Sequence, residues 1–210
     1  MSTATHPVAN VARVSGPTAG DVPISELSND SIIIRLHFMV NHLSRWLTPI
    51  HNWDRLDRAV YRDEPSIKEL LIFMRQEERR IFPRLHQIAS QTNPDLDLLP
   101  DPVITPEQAA IDRSRTALSV LAELRRLRQS TCSLMRSLPD SAWNRVGTSR
   151  KEHDWQIRSL AEHLLQHDER LLTEIDIALD RYGLRADVAL HGRARLYELL
   201  KLIPVTRRSH

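Results

Sequence analysis

Ser159-Leu-Ala-Glu-His-Leu-Leu-Gln-His-Asp-Glu-Arg-Leu-Leu-Thr-Glu-Ile175 is the stretch on which the reading of the chain turns. At helical period Leu160, Leu164, His167, Leu171, Ile175 and Ala178 form one apolar stripe, which puts His167 where a core residue is expected. His163 lies one turn earlier on the flank of that face, and Asp168 follows His167 directly. Imidazoles four residues apart on a helix are stacked neighbours and can reach one metal ion. The helix is expected from about Trp155 to Tyr182, with Gly183 as its stop.

Working outward, three more long helices are expected. The first starts near Ser28 and carries Ile32, Leu36, Met39, Leu43, Trp46 and Ile50 on one stripe, with Pro49 marking its exit. His37 and His42 ride on it and are read as surface or hydrogen-bonded histidines, His37 adjoining the stripe. The second opens on Ser66-Ile-Lys-Glu69, a capping box in which each side chain satisfies a free backbone N–H. Its stripe runs through Ile67, Leu70, Leu71, Met74, Ile81, Leu85 and Ile88, but the slot between Met74 and Ile81 holds Glu77 and Glu78. A carboxylate on a buried stripe is costly unless paired or bound. The two therefore either straddle the stripe's edge and pair with Arg75, Arg79 or Arg80, or serve a site. The third helix restarts at Thr105-Pro-Glu-Gln108 and is read as continuous through Ile111, Leu118, Leu121, Leu124, Thr131, Met135 and Leu138. Within it Leu124-Arg-Arg-Leu-Arg128 reads as a solvated basic face and Cys132 as a small core residue.

The proline-rich link from Gln91 to Ile104 is long for a helix–helix connection and is expected to travel along the bundle. The fold class is therefore all-α, a four-helix bundle with a long connection between helices two and three. Residues 1–24 read as a disordered tail, 25–183 as the bundle, and 184–210 as an extension with a short amphipathic helix over Arg193–Leu202.

Lys and Arg number 29 against 27 Asp and Glu, a net charge of +2, so neither nucleic-acid nor membrane-surface binding is expected. Cys132 is the one cysteine, which excludes an intrachain disulfide and fits a reducing compartment. No secretory signal is read, and the chain is expected to be cytoplasmic. Glu-x-x-His, P-loop, dinucleotide and nucleophile-elbow patterns are absent.

Several of these pieces, in order, resemble the DinB-like (DinB/YfiT) superfamily. They are the Ser66-Ile-Lys-Glu69-Leu-Leu opening, the Glu78-Arg79 step, the loop Leu138-Pro-Asp-Ser-Ala-Trp143-Asn-Arg145-Val-Gly147, and Leu160…His163-Leu-Leu-Gln-His167-Asp168. The resemblance spans about residues 28–180. It implies a four-helix bundle, often dimeric. Many members hold a divalent metal on three histidines, one from helix two and an i, i+4 pair from the last helix. It also implies activity as a thiol S-transferase, an amide hydrolase or an isomerase.

Two registers follow for this chain. In one, the helix-two ligand falls at Phe73 and the last-helix pair at His167 and Leu171, so apolar bulk closes the cavity and no metal is expected. In the other, His163 and His167 form the pair, and Glu77 or Glu78 supplies a third ligand for Zn, Ni or Fe, with His37 a weaker substitute. Closure is the expected reading, because large apolar groups stand at two ligand positions. The chain is then a diverged bundle that binds a small ligand or self-associates as a homodimer through its C-terminal helix. The alternative is a metal-dependent enzyme with a rebuilt site.

Overall fold

The computed structural model describes residues 22–100, 104–186, 188 and 195–208. Its helices are α1 (Asn29–Leu47), α2 (Asp54–Asp57), α3 (Ile67–Ser90), α4 (Pro106–Ser114), α5 (Ala117–Ser137), α6 (Ile157–Arg181) and α7 (Leu196–Leu200). Their starts follow the expected capping chemistry. Ser28 Oγ accepts from Ser31 N, Ser66 and Glu69 form the reciprocal box, and Thr105 Oγ1 accepts from Gln108 N. The third long helix departs from expectation. The chain breaks at Arg115-Thr116, where Thr116 caps a new helix through Ser119 N, so α4 and α5 are separate and Ile111 is 51% exposed.

The bundle is made by α1, α3, α5 and α6. Each of α1 and α3 packs on both α5 and α6, so α1 and α3 stand diagonally across the core. Directions follow from contacts at the helix ends. Arg158 at the start of α6 donates to Asn29 at the start of α1 (2.8 Å), and Arg35 meets Glu169 further along, so these two helices are parallel. Lys68 at the start of α3 donates to Arg115 O just before α5 (3.2 Å), so α3 and α5 are parallel as well. The Tyr182 hydroxyl after α6 donates to Pro65 O before α3 (3.3 Å), an antiparallel pair. Two parallel neighbours require a connection that returns the full length of the bundle, roughly 36 Å for a helix as long as α3. That is the task of the segment between α3 and α5, described over residues 91–100 and 104–116.

The loop after α5 does structural work that explains its sequence. Trp143 is buried in the core. Arg145 Nη1 and Nη2 donate to Ala89 O and Gln91 O, each at 2.5 Å, and so satisfy carbonyls left open at the end of α3. Gly147 lies so close that a Cβ would stand 2.8 Å from Ile88 Cγ1 and 2.9 Å from Leu96 Cδ2. Two short strands, β1 (Val146–Gly147) and β2 (Trp155–Gln156), pair antiparallel here.

Residues 1–21 of the expected tail lie outside the described residues, while Val22 is buried in the core. The C-terminal segment lies along the start of α1: Ser28 N donates to Thr206 O (2.9 Å) and Arg208 N to Glu26 O (2.8 Å). Leu196, Leu199, Ile203 and Val205 are buried on the bundle itself, so the short C-terminal helix keeps most of its apolar side at home. Among the described residues no helix is long and apolar enough to cross a membrane.

Candidate functional site

Across the antiparallel pair α3 and α6, Glu77 faces His163, with His163 Nε2 2.7 Å from Glu77 Oε1. Arg80, one turn after Glu77, donates to the same carboxylate from Nη2 (2.6 Å) and Nε (3.1 Å). Its Nη2 also lies 3.2 Å from His163 Nε2. A ring nitrogen cannot donate to Glu77 and accept from Arg80 at once. The shorter contact, to the carboxylate, assigns the proton to Nε2; the assignment rests on this network. Burial alone would push the Glu77 carboxyl up, but hydrogen bonds from His163 and Arg80, with the charges of Arg80 and His167, outweigh it and bring its pKa down to about 2. The Trp155 ring meets His163 edge-on at 5.6 Å, and its Nε1 donates to Glu152 Oε2 (2.8 Å). Glu152 Oε1 lies 3.5 Å from both Arg80 and Arg84.

Of the four candidate ligands, Glu77 and His163 are brought together. His167 sits on the next turn, half-buried, with Nδ1 3.9 Å from Asp168 Oδ1. It does not take the core position that its stripe suggested: Asp168 does, at 0% exposure. Glu78 turns inward, away from Glu77, because adjacent residues on a helix point about 100° apart. Phe73 is 45% exposed and so does not plug a cavity, whereas Leu171 is buried. His37, the weaker substitute, is exposed on α1, diagonally across from α3. Among the described residues no three His, Cys, Asp or Glu side chains are grouped to hold a metal ion. A guanidinium already satisfies Glu77, and a proton occupies the His163 nitrogen that faces it. A divalent ion would have to displace both. As the side chains stand, Glu77 and His163 are two facing donors, each engaged by a group of the protein's own.

The larger surprise is in the core. Arg128 of α5, read as part of a solvated face, is 1% exposed and touches all three other long helices. Its Nε donates to Glu78 Oε2 of α3 (2.8 Å), and its Nη1 to Leu36 O of α1 (3.0 Å) and Asp168 Oδ2 of α6 (2.6 Å). The Thr131 hydroxyl donates to the other oxygen of Glu78. Burial alone would lower the Arg128 pKa, but Asp168 and Glu78 raise it. A sequence signal existed: residue 128 completes the stripe Leu121, Leu124, Thr131, Met135, as 78 does on α3 and 168 on α6. Glu78, Arg128 and Asp168 thus bring three charges from three helices together in core slots, with signs that cancel in part.

A second buried pair joins α3 to α4: Arg75 Nη1 and Nη2 donate to Asp112 Oδ1 and Oδ2 at 2.7 and 2.5 Å. Burial pushes the Cys132 thiol up to about 11, so it offers no thiolate at neutral pH. His42 is not the surface or hydrogen-bonded residue expected. It is 1% exposed, stacked on Phe38 (5.5 Å), and neither ring nitrogen has a hydrogen-bond partner.

No protein-family model matches the chain, and no curated protein matches it significantly. Among solved structures it is similar to YfiT from Bacillus subtilis, described as a probable metal-dependent hydrolase with an unusual four-helix bundle topology. The TM-score is 0.61 at 14% identity, over 85% of this chain and 94% of that one. With the four long helices in this arrangement, the chain shares the four-helix-bundle fold of YfiT.

Proposed function

We propose that this chain is a diverged bundle of the YfiT type that works by binding rather than by metal chemistry. One observation carries the reading: Arg80 reaches both Glu77 and His163, so a cation of the protein's own stands where a metal would be needed. Glu78, the other candidate carboxylate, is held by Arg128 and Thr131. Purified protein, prepared without chelator and dialysed against Zn, Ni and Fe in turn, is expected to retain well under one equivalent by elemental analysis. Arg80→Ala, which uncovers Glu77 and His163, is expected to bind more. One tightly held equivalent in the unaltered chain would overturn the reading.

The second reading, a metal-dependent hydrolase or S-transferase with His163, His167 and Glu77 as ligands, is favoured by the 2.7 Å approach of His163 to Glu77 and by the likeness to YfiT. It predicts that His167→Ala abolishes that equivalent.

Self-association belongs to the same proposal. Ile177 lines a shallow depression of about 260 Å³ with Leu70, Ala178 and Tyr182, and Phe73 stands exposed one turn along α3 from Leu70. Sedimentation velocity is expected to show a dimer that Phe73→Glu with Ile177→Glu dissociates. A monomer at every concentration counts against it.

A further inference from the structure

On the opposite edge of the bundle from Glu77 and His163, α1 and α5 enclose a groove of about 400 Å³. Arg125, Arg126 and Arg136 of α5 line it, facing His37 and Asn41 of α1. Arg136, His37 and Asn41 continue into an adjoining space of about 240 Å³, which adds Arg45 and the apolar surfaces of Ile34, Phe38 and the His42 ring. Among the described residues no carboxylate lines either space.

These arginines contrast with those of the neighbouring α3–α5 face. There Arg75 and Arg79 of α3, and Arg115 just before α5, all share Asp112 or Glu123. Arg128 also lines the groove, but Glu78 and Asp168 compensate its charge. Among the described residues Arg45, Arg125, Arg126 and Arg136 have no side-chain hydrogen bond or ion pair. Like charges gathered in a concave surface focus a positive potential and draw small anions. His37 registers that field: burial lowers its pKa first, and Arg136, Arg128 and Arg125 lower it further.

We propose that the α1–α5 groove binds a small organic anion, with a phosphate or carboxylate head on Arg125, Arg126 and Arg136 and an apolar body over Ile34 and Phe38. Guanidinium forks suit both head groups. The larger space falls within the range of small-molecule sites, about 300–1,000 Å³. The chain's net charge of +2 is a small cationic excess, which favours a small anion over a nucleic-acid backbone. The inference gives the binding reading a site, and because that site lies apart from Glu77 and His163, it stands or falls separately from the metal measurement.

Calorimetric titration of the full chain at low salt with phenyl phosphate, benzoate and inorganic phosphate tests it. One of the two aromatic anions is expected to bind about tenfold tighter than inorganic phosphate, and the tighter of them identifies the head group. Arg136→Gln, and Arg125→Gln with Arg126→Gln, are expected to weaken that binding about tenfold or more, while Arg170→Gln on α6 leaves it unchanged. All four positions are exposed, so these variants keep the fold. No saturation by any of the three up to about 10 mM would overturn the proposal. So would equal weakening by Arg170→Gln, equal affinity for inorganic phosphate, or a marked preference for duplex DNA.

Discussion

Replacing Arg128 with methionine lowers the unfolding free energy by about 3–5 kcal/mol, the cost of leaving buried charges without a partner. Glu78 and Asp168 are both 0% exposed, and among the described residues Arg128 is the one cation bonded to both. Methionine keeps most of the side-chain volume, so the loss is electrostatic rather than a cavity effect. The melting temperature falls by about 6–20 °C at the slope usual for a domain of this size. The variant is also expected to be less unstable at pH 5 than at pH 8, because a buried unpaired carboxylate escapes its penalty by taking a proton. Glu78→Gln with Asp168→Asn in the Arg128→Met background restores most of the loss, since no charge is then stranded. Urea denaturation followed by circular dichroism reads all three chains. A single variant within about 1 kcal/mol of the parent would mean that the network does not hold the four helices together.

The same network marks where the sequence could be read and where it could not. Helix existence was legible, because Ser28, Ser66 and Thr105 cap where capping chemistry requires and the stripes on α1, α3 and α6 are deep. The break at Arg115-Thr116 was hidden, since no glycine or proline marks it and Thr116-x-x-Ser119 is a quiet cap. Charged residues in core slots were visible singly, as Glu78 was. Their pairing joins residues 50 and 40 positions apart, which periodicity does not report. His163 and His167 failed in the same way. A spacing of four shows that two side chains are neighbours but not what faces them, and what faces His163 is Glu77 with Arg80 on its carboxylate, 86 and 83 residues away. The resemblance carried the fold, whose loop residues Trp143, Arg145 and Gly147 bury, cap and pack. The chemistry depended on Phe73 and Leu171 both lying inward, and Phe73 does not.

Lowering the pH from 6.5 to about 4 is expected to remove roughly 3 kcal/mol of stability through His42 alone. Burial lowers its pKa from 6.5 to about 4, with Arg45 and Arg185 adding to the effect and Asp176 opposing it. In this window the unfolded chain takes up a proton at His42 that the folded chain refuses, so stability falls as the pH falls. His37, also lowered, acts in the same direction, and its exposure keeps its part small. Glu77 has a separate window: its carboxyl, at about 2 against an ordinary 4.5, stabilises the fold above 4.5 and loses that contribution only below it. Between pH 6.5 and 4.5 the slope therefore belongs mainly to His42. His42→Leu is expected to flatten it and to leave the protein at pH 7.5 as stable as the parent or more so, since two buried ring nitrogens without partners are gone. Urea midpoints at half-unit steps of pH, compared for parent, His42→Leu and His37→Gln, separate the two histidines. A His42→Leu chain that keeps the parent's slope would show that His42 does not stay neutral in the folded core.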